Sequence, residues 1–206
     1  ITYLKLNIPY DESVAFFAFF GTIVGYNFIK YDELARVKKI KLTKTFKAII
    51  VLSILSALKT FYYFLELKTK TKLIGFGALL LTILYTLPFF PHKTNMRNWS
   101  GLKIYLVALA WVGVTVLLPV INAEVDFSIV VILKCIQRFI LVFVLMLIFE
   151  IIDLQFDEKA LETIPQKLGE KETKNLSYLL ILVFLSLEFF KPNVTFQQLI
   201  ITFLFA

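Results

Sequence analysis

The sequence predicts an all-α, polytopic transmembrane bundle, and three observations carry that prediction. Of the 206 residues, 59% are hydrophobic, and the mean hydropathy is +0.80, more apolar surface than a soluble domain of this length needs. The apolar residues fall into runs long enough to cross a bilayer, near 12–29, 47–67, 72–90, 101–122 and 127–152. A shorter run covers 176–190, and a seventh begins near Val194. None of these runs alternates with the two-residue period of a barrel strand, so helices are the spanning structure.

Taken in order, residues 1–11 read as a loop or the remnant of an earlier helix exit. The segments between the runs carry the topology. After the first run lie Lys30, Arg36, Lys38, Lys39, Lys41 and Lys44, after the third Lys93, Arg97 and Lys103, and after the fifth Lys159, Lys167, Lys171 and Lys174. These thirteen cations share one side, against four on the other: Lys68, Lys70, Lys72 and Lys191. By the positive-inside rule the first side is cytoplasmic. The net charge of +7 is therefore read as a topology signal, with membrane lipid and no nucleic acid as partner. One cysteine, Cys135, and one histidine, His92, exclude a disulfide and a Cys- or His-based metal site. No internal repeat is visible, and 1–206 reads as a single transmembrane domain. Its start at Ile1 and its end within an apolar run suggest a fragment of a longer protein.

Charge placement singles out Phe149–Gly169, FEIIDLQFDEKALETIPQKLG. Spacings of three and four put Glu150, Asp153 and Asp157 on one helical face. Like charges repel there, and the C-terminal end of a helix is already partly negative. A bound cation would resolve the conflict; the structural alternative is a set of solvated acids past a helix end. Lys59 and Arg138 also stand out, because both fall near the middle of apolar runs, where a bare charge costs roughly 3 kcal/mol on insertion scales. Either could form an interhelical pair, with Glu188 or Glu66, or line a cavity. Lys134, nearer its helix end, could snorkel. Trp111 is expected to serve packing.

The order Glu150-x-x-Asp153-x-x-x-Asp157, then Thr163-Ile164-Pro165 and Leu168-Gly169, resembles the second Asp-rich motif of UbiA-type intramembrane prenyltransferases. Tyr26-Asn27 followed by Asp32 resembles their first motif, and four apolar runs separate the two, as in that family. Tyr85-x-x-Pro88, Gly101-Leu102-Lys103 and Ala108-Leu109-Ala110-Trp111 resemble the loop and helix between them. The resemblance implies about nine helices, of which seven are visible. There are departures. Glu150 replaces an Asp, and the Asp157-to-Pro165 spacing is one residue short. Tyr31 and Ala35 stand where further acids would follow Asn27. Asp32 lies about 140° around an ideal helix from Asn27, so the two share a metal only if the helix ends or kinks between them.

What the resemblance implies is a Mg²⁺-dependent transfer of a polyprenyl group from its diphosphate to a lipophilic acceptor, aromatic in the manner of a quinone precursor, inside the membrane. Mg²⁺ takes carboxylate and phosphate oxygens. Asp153 and Asp157, with Glu150 behind them, would hold one ion, and Asn27 and Asp32 would serve a second. Asp153, Asp157, Asn27 and Asp32 are thus the candidate catalytic residues. Arg36, Lys38, Lys93, Arg97 and Lys103 are candidate ligands for the diphosphate. Both motifs would face the cytoplasm, and a bacterial inner membrane is the expected location. The thinned first motif motivates the alternative, a catalytically inactive membrane protein that keeps the fold as a lipid-binding or assembly component.

Overall fold

Ten α-helices and no strand occur among the residues that the structure, a computed structural model, describes: 2–37, 43–87, 101–155, 162–192 and 196–204, without the side chains of 32–37 and Gln198. In chain order they are α1 (Thr2–Leu6), α2 (Glu12–Val37), α3 (Lys44–Glu66), α4 (Thr69–Thr86), α5 (Leu102–Val112), α6 (Leu118–Asn122), α7 (Ile129–Asp153), α8 (Ile164–Leu168), α9 (Glu170–Ser186) and α10 (Phe196–Leu204). A π-helical turn, Gly113–Leu117, joins α5 to α6, and a 3₁₀ turn, Leu187–Phe190, extends α9.

Five stretches are long and apolar enough to cross a membrane: Glu12–Tyr31, Lys44–Glu66, Leu102–Asn122, Ile129–Asp153 and Glu170–Phe190. The protein is therefore an integral membrane protein built as a helical bundle. The third predicted run is α4, which carries Lys70 and Lys72 in its first turn and at 1.5 Å per residue is about 27 Å long. The seventh begins as α10. Along α3, Val51, Ile54, Leu55, Leu58 and Phe61 are all exposed, an outward apolar face suited to lipid.

Two local readings change. Residues 2–6 form a helix rather than a loop, because α1 is docked: Thr2 and Lys5 are buried, and Leu6 packs on Val116, Val120 and Val131. Helix α2 runs to Val37, so Lys30 and Arg36 ride on a helix rather than in a connection. Leu, Ala, Arg and Lys are strong helix formers that need no burial to extend it.

The π turn has a cause in the sequence. Pro119 has no N–H to offer the carbonyl four residues back, Thr115, and its ring crowds that carbonyl. The register shifts so that Leu118 N–H reaches Gly113 O, while the Thr115 carbonyl accepts the Thr2 hydroxyl at 2.6 Å. Hydroxyl donation of this kind is how membrane helices tolerate proline. Close approach also sets the contact between α2 and α4: a Cβ added at Gly75 would stand 3.0 Å from Phe17 Cζ.

Polar contacts fix which helix ends meet. Ser13, at the start of α2, donates to Glu66 at the end of α3, 2.6 Å. Asn122, closing α6, donates to Asp11 at 2.7 Å and accepts Lys68 N–H at 3.2 Å, which joins α6 to the starts of α2 and α4. The Lys5–Glu188 pair, 3.1 Å, brings in the end of the α9 stretch, and Gln137 of α7 donates to Glu188 at 2.9 Å. At the other end Tyr31 of α2 meets Phe46 of α3, ring centroids 5.8 Å apart. There Ile104 of α5, Phe143 and Leu147 of α7, Ile164 of α8 and Leu176 of α9 form one apolar cluster. The C-terminal ends of α2 and α7 therefore lie at the same end of the bundle.

Candidate functional site

The acidic end is built mainly by α7. Its inward stripe includes Phe143 and Leu147, and Glu150 follows three residues after Leu147 on the same face. That register draws Glu150 inside, to 3% exposure. Asp153 is the last residue of α7 and is exposed. A buried carboxylate three residues from an exposed one makes a ladder from bundle interior to mouth. Asp157 lies outside the described residues.

The chain resumes at Glu162 and turns into α8. Gln166 Oε1 accepts the Thr163 N–H at 3.0 Å, the backbone half of a capping box. Pro165 is buried in the first turn, where its missing N–H costs no helix bond. Gly169 then takes φ 86° and ψ 159°, a region essentially reserved for glycine, and its N–H reaches Pro165 O at 2.9 Å. The Thr-Ile-Pro-x-x-Leu-Gly run is thus a bracket: one helical turn, a forced stop, and the start of α9, anchored when Thr173 Oγ1 donates to Gly169 O at 2.8 Å.

On α2, Asn27 is half-buried and its amide donates to Ser53 Oγ of α3 at 2.8 Å. Ser53 in turn donates to Ile49 O at 2.8 Å. Helix α2 continues unbroken past both motif positions, so 27 and 32 stand about 140° apart around its axis. The helix does not end between them. Lys103 is half-buried in the first turn of α5, beside the fully buried Ile104. The side chains of Asp32 and Arg36, and Lys38, Lys93 and Arg97 entirely, lie outside the described residues. Among the described residues, no group of three or more acids, histidines and cysteines is gathered closely enough to hold a metal. The donors present, Glu150 and Asp153, are all oxygen, which suits a hard divalent cation.

Of the two expectations for the intramembrane charges, the interhelical pair is not met, and Arg138 lines a cavity. Glu188, 1% exposed, accepts from Lys5 at 3.1 Å, from Lys191 at 2.7 Å and from Gln137 at 2.9 Å. Glu66 accepts from Ser13 instead. Neither Lys59 nor Arg138 pairs with them. Lys59 is exposed on α3, and Lys134 does not snorkel, being 6% exposed. Trp111, 41% exposed, faces outward instead of packing. The cluster around Glu188 was hidden because its first partner, Lys5, lies in a stretch that reads as a loop; the apolar context of Lys134 and Arg138 was the available signal.

The sequence matches no protein-family model and no curated protein. Among solved structures the chain is similar to a UbiA homologue from Archaeoglobus fulgidus bound to Cd²⁺, with a TM-score of 0.59 and 17% identity over 94% of this chain and 68% of that one. At this identity the likeness establishes the fold.

Proposed function

We propose that this chain, which carries the fold of a UbiA homologue, uses the acidic end of its bundle to bind a prenyl diphosphate with a divalent cation and to transfer the prenyl group to a lipophilic acceptor. One observation carries the reading: the carboxylate-bearing end of α7 and the Asn27–Asp32 end of α2 lie at the same end of a membrane bundle. The Cd²⁺ bound by the structural neighbour supports a divalent ion, and the all-oxygen donors favour Mg²⁺.

In this reading Asp153 and Asp157, with Glu150 behind them, hold the ion. A divalent cation bound there supplies charge neutralisation for the departing diphosphate. Asn27 and Asp32 serve a weaker, second set of contacts from α2. Arg36, Lys38, Lys93, Arg97 and Lys103 are the proposed ligands of the phosphate oxygens, through charge-assisted hydrogen bonds. The apolar interior sheathes the prenyl tail and excludes water from the allylic centre, and the acceptor, aromatic in this proposal, enters from the bilayer. Both motifs then face the cytoplasm, by the distribution of basic residues.

The test is a transfer assay on the full chain in membranes, with labelled prenyl diphosphates, an acceptor panel and Mg²⁺. Turnover that falls ~100-fold or more in Asp153→Asn and Asp157→Asn is expected. Absence of Mg²⁺-dependent turnover with every donor and acceptor argues against the reading.

A specific observation favours a second reading, an inactive lipid-binding or assembly component. Asn27 is engaged with Ser53 inside the α2–α3 contact, so it serves packing already. On that reading both Asp→Asn variants leave the cellular phenotype intact.

A further inference from the structure

At the end of the bundle opposite the acids, two adjoining cavities of about 20 and 100 Å³ are lined in common by Lys5 and Lys134. Arg138 and Gln137 line the first, and Lys191 and Glu188 the second. Four cations therefore surround one carboxylate, a surplus of three positive charges inside a membrane protein. The carboxylate is already taken. Glu188 accepts from Lys5 and Lys191 at 3.1 and 2.7 Å, Lys5 also donates to the Thr202 hydroxyl, and Lys191 donates to Gln137 Oε1 at 2.6 Å.

Lys134 is left over. It is 6% exposed, lines both cavities, and has no hydrogen-bond or ion-pair partner among the described residues. The charges facing it are Lys5 and Lys191 from neighbouring elements and Arg138 from its own helix, with Glu188 alone opposing them. Arg138, one turn further along α7, is half-buried and likewise has no carboxylate among the described residues. A buried ammonium beside three other cations is stable only if it gives up its proton or gains an anion. An arginine fork next to convergent lysines matches an oxyanion with several acceptor oxygens.

We propose that this cluster is a phosphate-binding site, which takes either a free phosphate or diphosphate ion or the phosphodiester of an anionic lipid headgroup. Lys134 and Arg138 supply the unshared donors, while Lys5 and Lys191 stay anchored on Glu188 and set the field. The site is separate from the acidic end: Glu150 follows Lys134 by sixteen positions along α7, about 24 Å of helix. It needs no divalent cation.

Thermal unfolding of the purified full chain, with EDTA present throughout, tests this. One arm uses neutral-detergent micelles with inorganic phosphate or pyrophosphate against chloride at matched ionic strength. The other compares phosphatidylcholine nanodiscs with and without phosphatidylglycerol. A rise of several degrees in the first arm assigns a free ion, and a rise confined to the second assigns a lipid headgroup; either supports the site. In Lys134→Met the rise disappears, while the unliganded protein is as stable as the wild type or more so, because a like charge has gone. Arg138→Gln, at a less buried position, reduces the rise and serves if Lys134→Met does not fold. No rise in either arm, or an equal rise in wild type and both variants, overturns the proposal.

Discussion

At the scale of single residues, environment decides what each polar side chain does. Glu150 and Asp153 belong to one motif, yet one is 3% exposed and the other open to solvent, because three residues of α7 carry the chain from interior to mouth. Gly169 is fixed by its backbone alone: φ 86° with ψ 159° suits no other residue. Gly169→Ala is expected to cost about 1–3 kcal/mol, read as a lower unfolding temperature in detergent. If the proposed function holds, prenyl transfer falls too, since the bracket from Thr163 to Thr173 follows the acids in sequence. Glu188 is the opposite case, held by charge partners rather than backbone. Glu188→Ala leaves Lys5 and Lys191 buried without their carboxylate and is expected to destabilise by about 3–5 kcal/mol. A loss below about 1 kcal/mol in thermal unfolding, the range of exposed pairs, would show that the network is solvated.

At the scale of elements, most helices were legible in the sequence and some of their limits were not. The run at 127–152 became α7 almost unchanged, because apolar residues fill it and Asp153 closes it. The run at 101–122 was legible as one span and Pro119 accounts for its π turn, whereas the donor that meets the freed Thr115 carbonyl comes from α1. Helix α1 escaped notice because five residues carry too little periodicity to announce a helix; docking makes it, not propensity. Gly75 belongs to this scale as well. It lets α4 lie against Phe17 of α2, where any side chain meets the ring. Gly75→Leu is expected to cost about 1–3 kcal/mol by overpacking, while Gly77→Leu, with open space around its Cβ position, should be close to neutral. Comparing the two unfolding temperatures checks the helix contact directly, and equal values would contradict it.

For the whole molecule, the helical class and the membrane setting follow from apolar runs alone. The arrangement of helix ends does not, since it rests on side chains remote in sequence. Asn122 meets Asp11 across 111 positions and the Lys68 amide across 54, pairs that no local pattern marks. Half of the candidate site carries a signal in the sequence. The α7 acids announce themselves by charge against a helix C-terminus, whereas the use of Asn27 in the α2–α3 contact depends on Ser53, a residue with no signal of its own. The resulting molecule has chemically distinct features at its two ends, the α7 carboxylates at one and a buried cluster of cations around Glu188 at the other. On the proposed function the acidic end binds a diphosphate with a divalent ion. The most direct test is the binding of a labelled prenyl diphosphate to the purified full chain, with Mg²⁺ or EDTA, in wild type, Asp153→Asn and Asp157→Asn. Mg²⁺-dependent binding in the wild type that both variants lose is the predicted result; binding that is indifferent to Mg²⁺ and to both substitutions would contradict it.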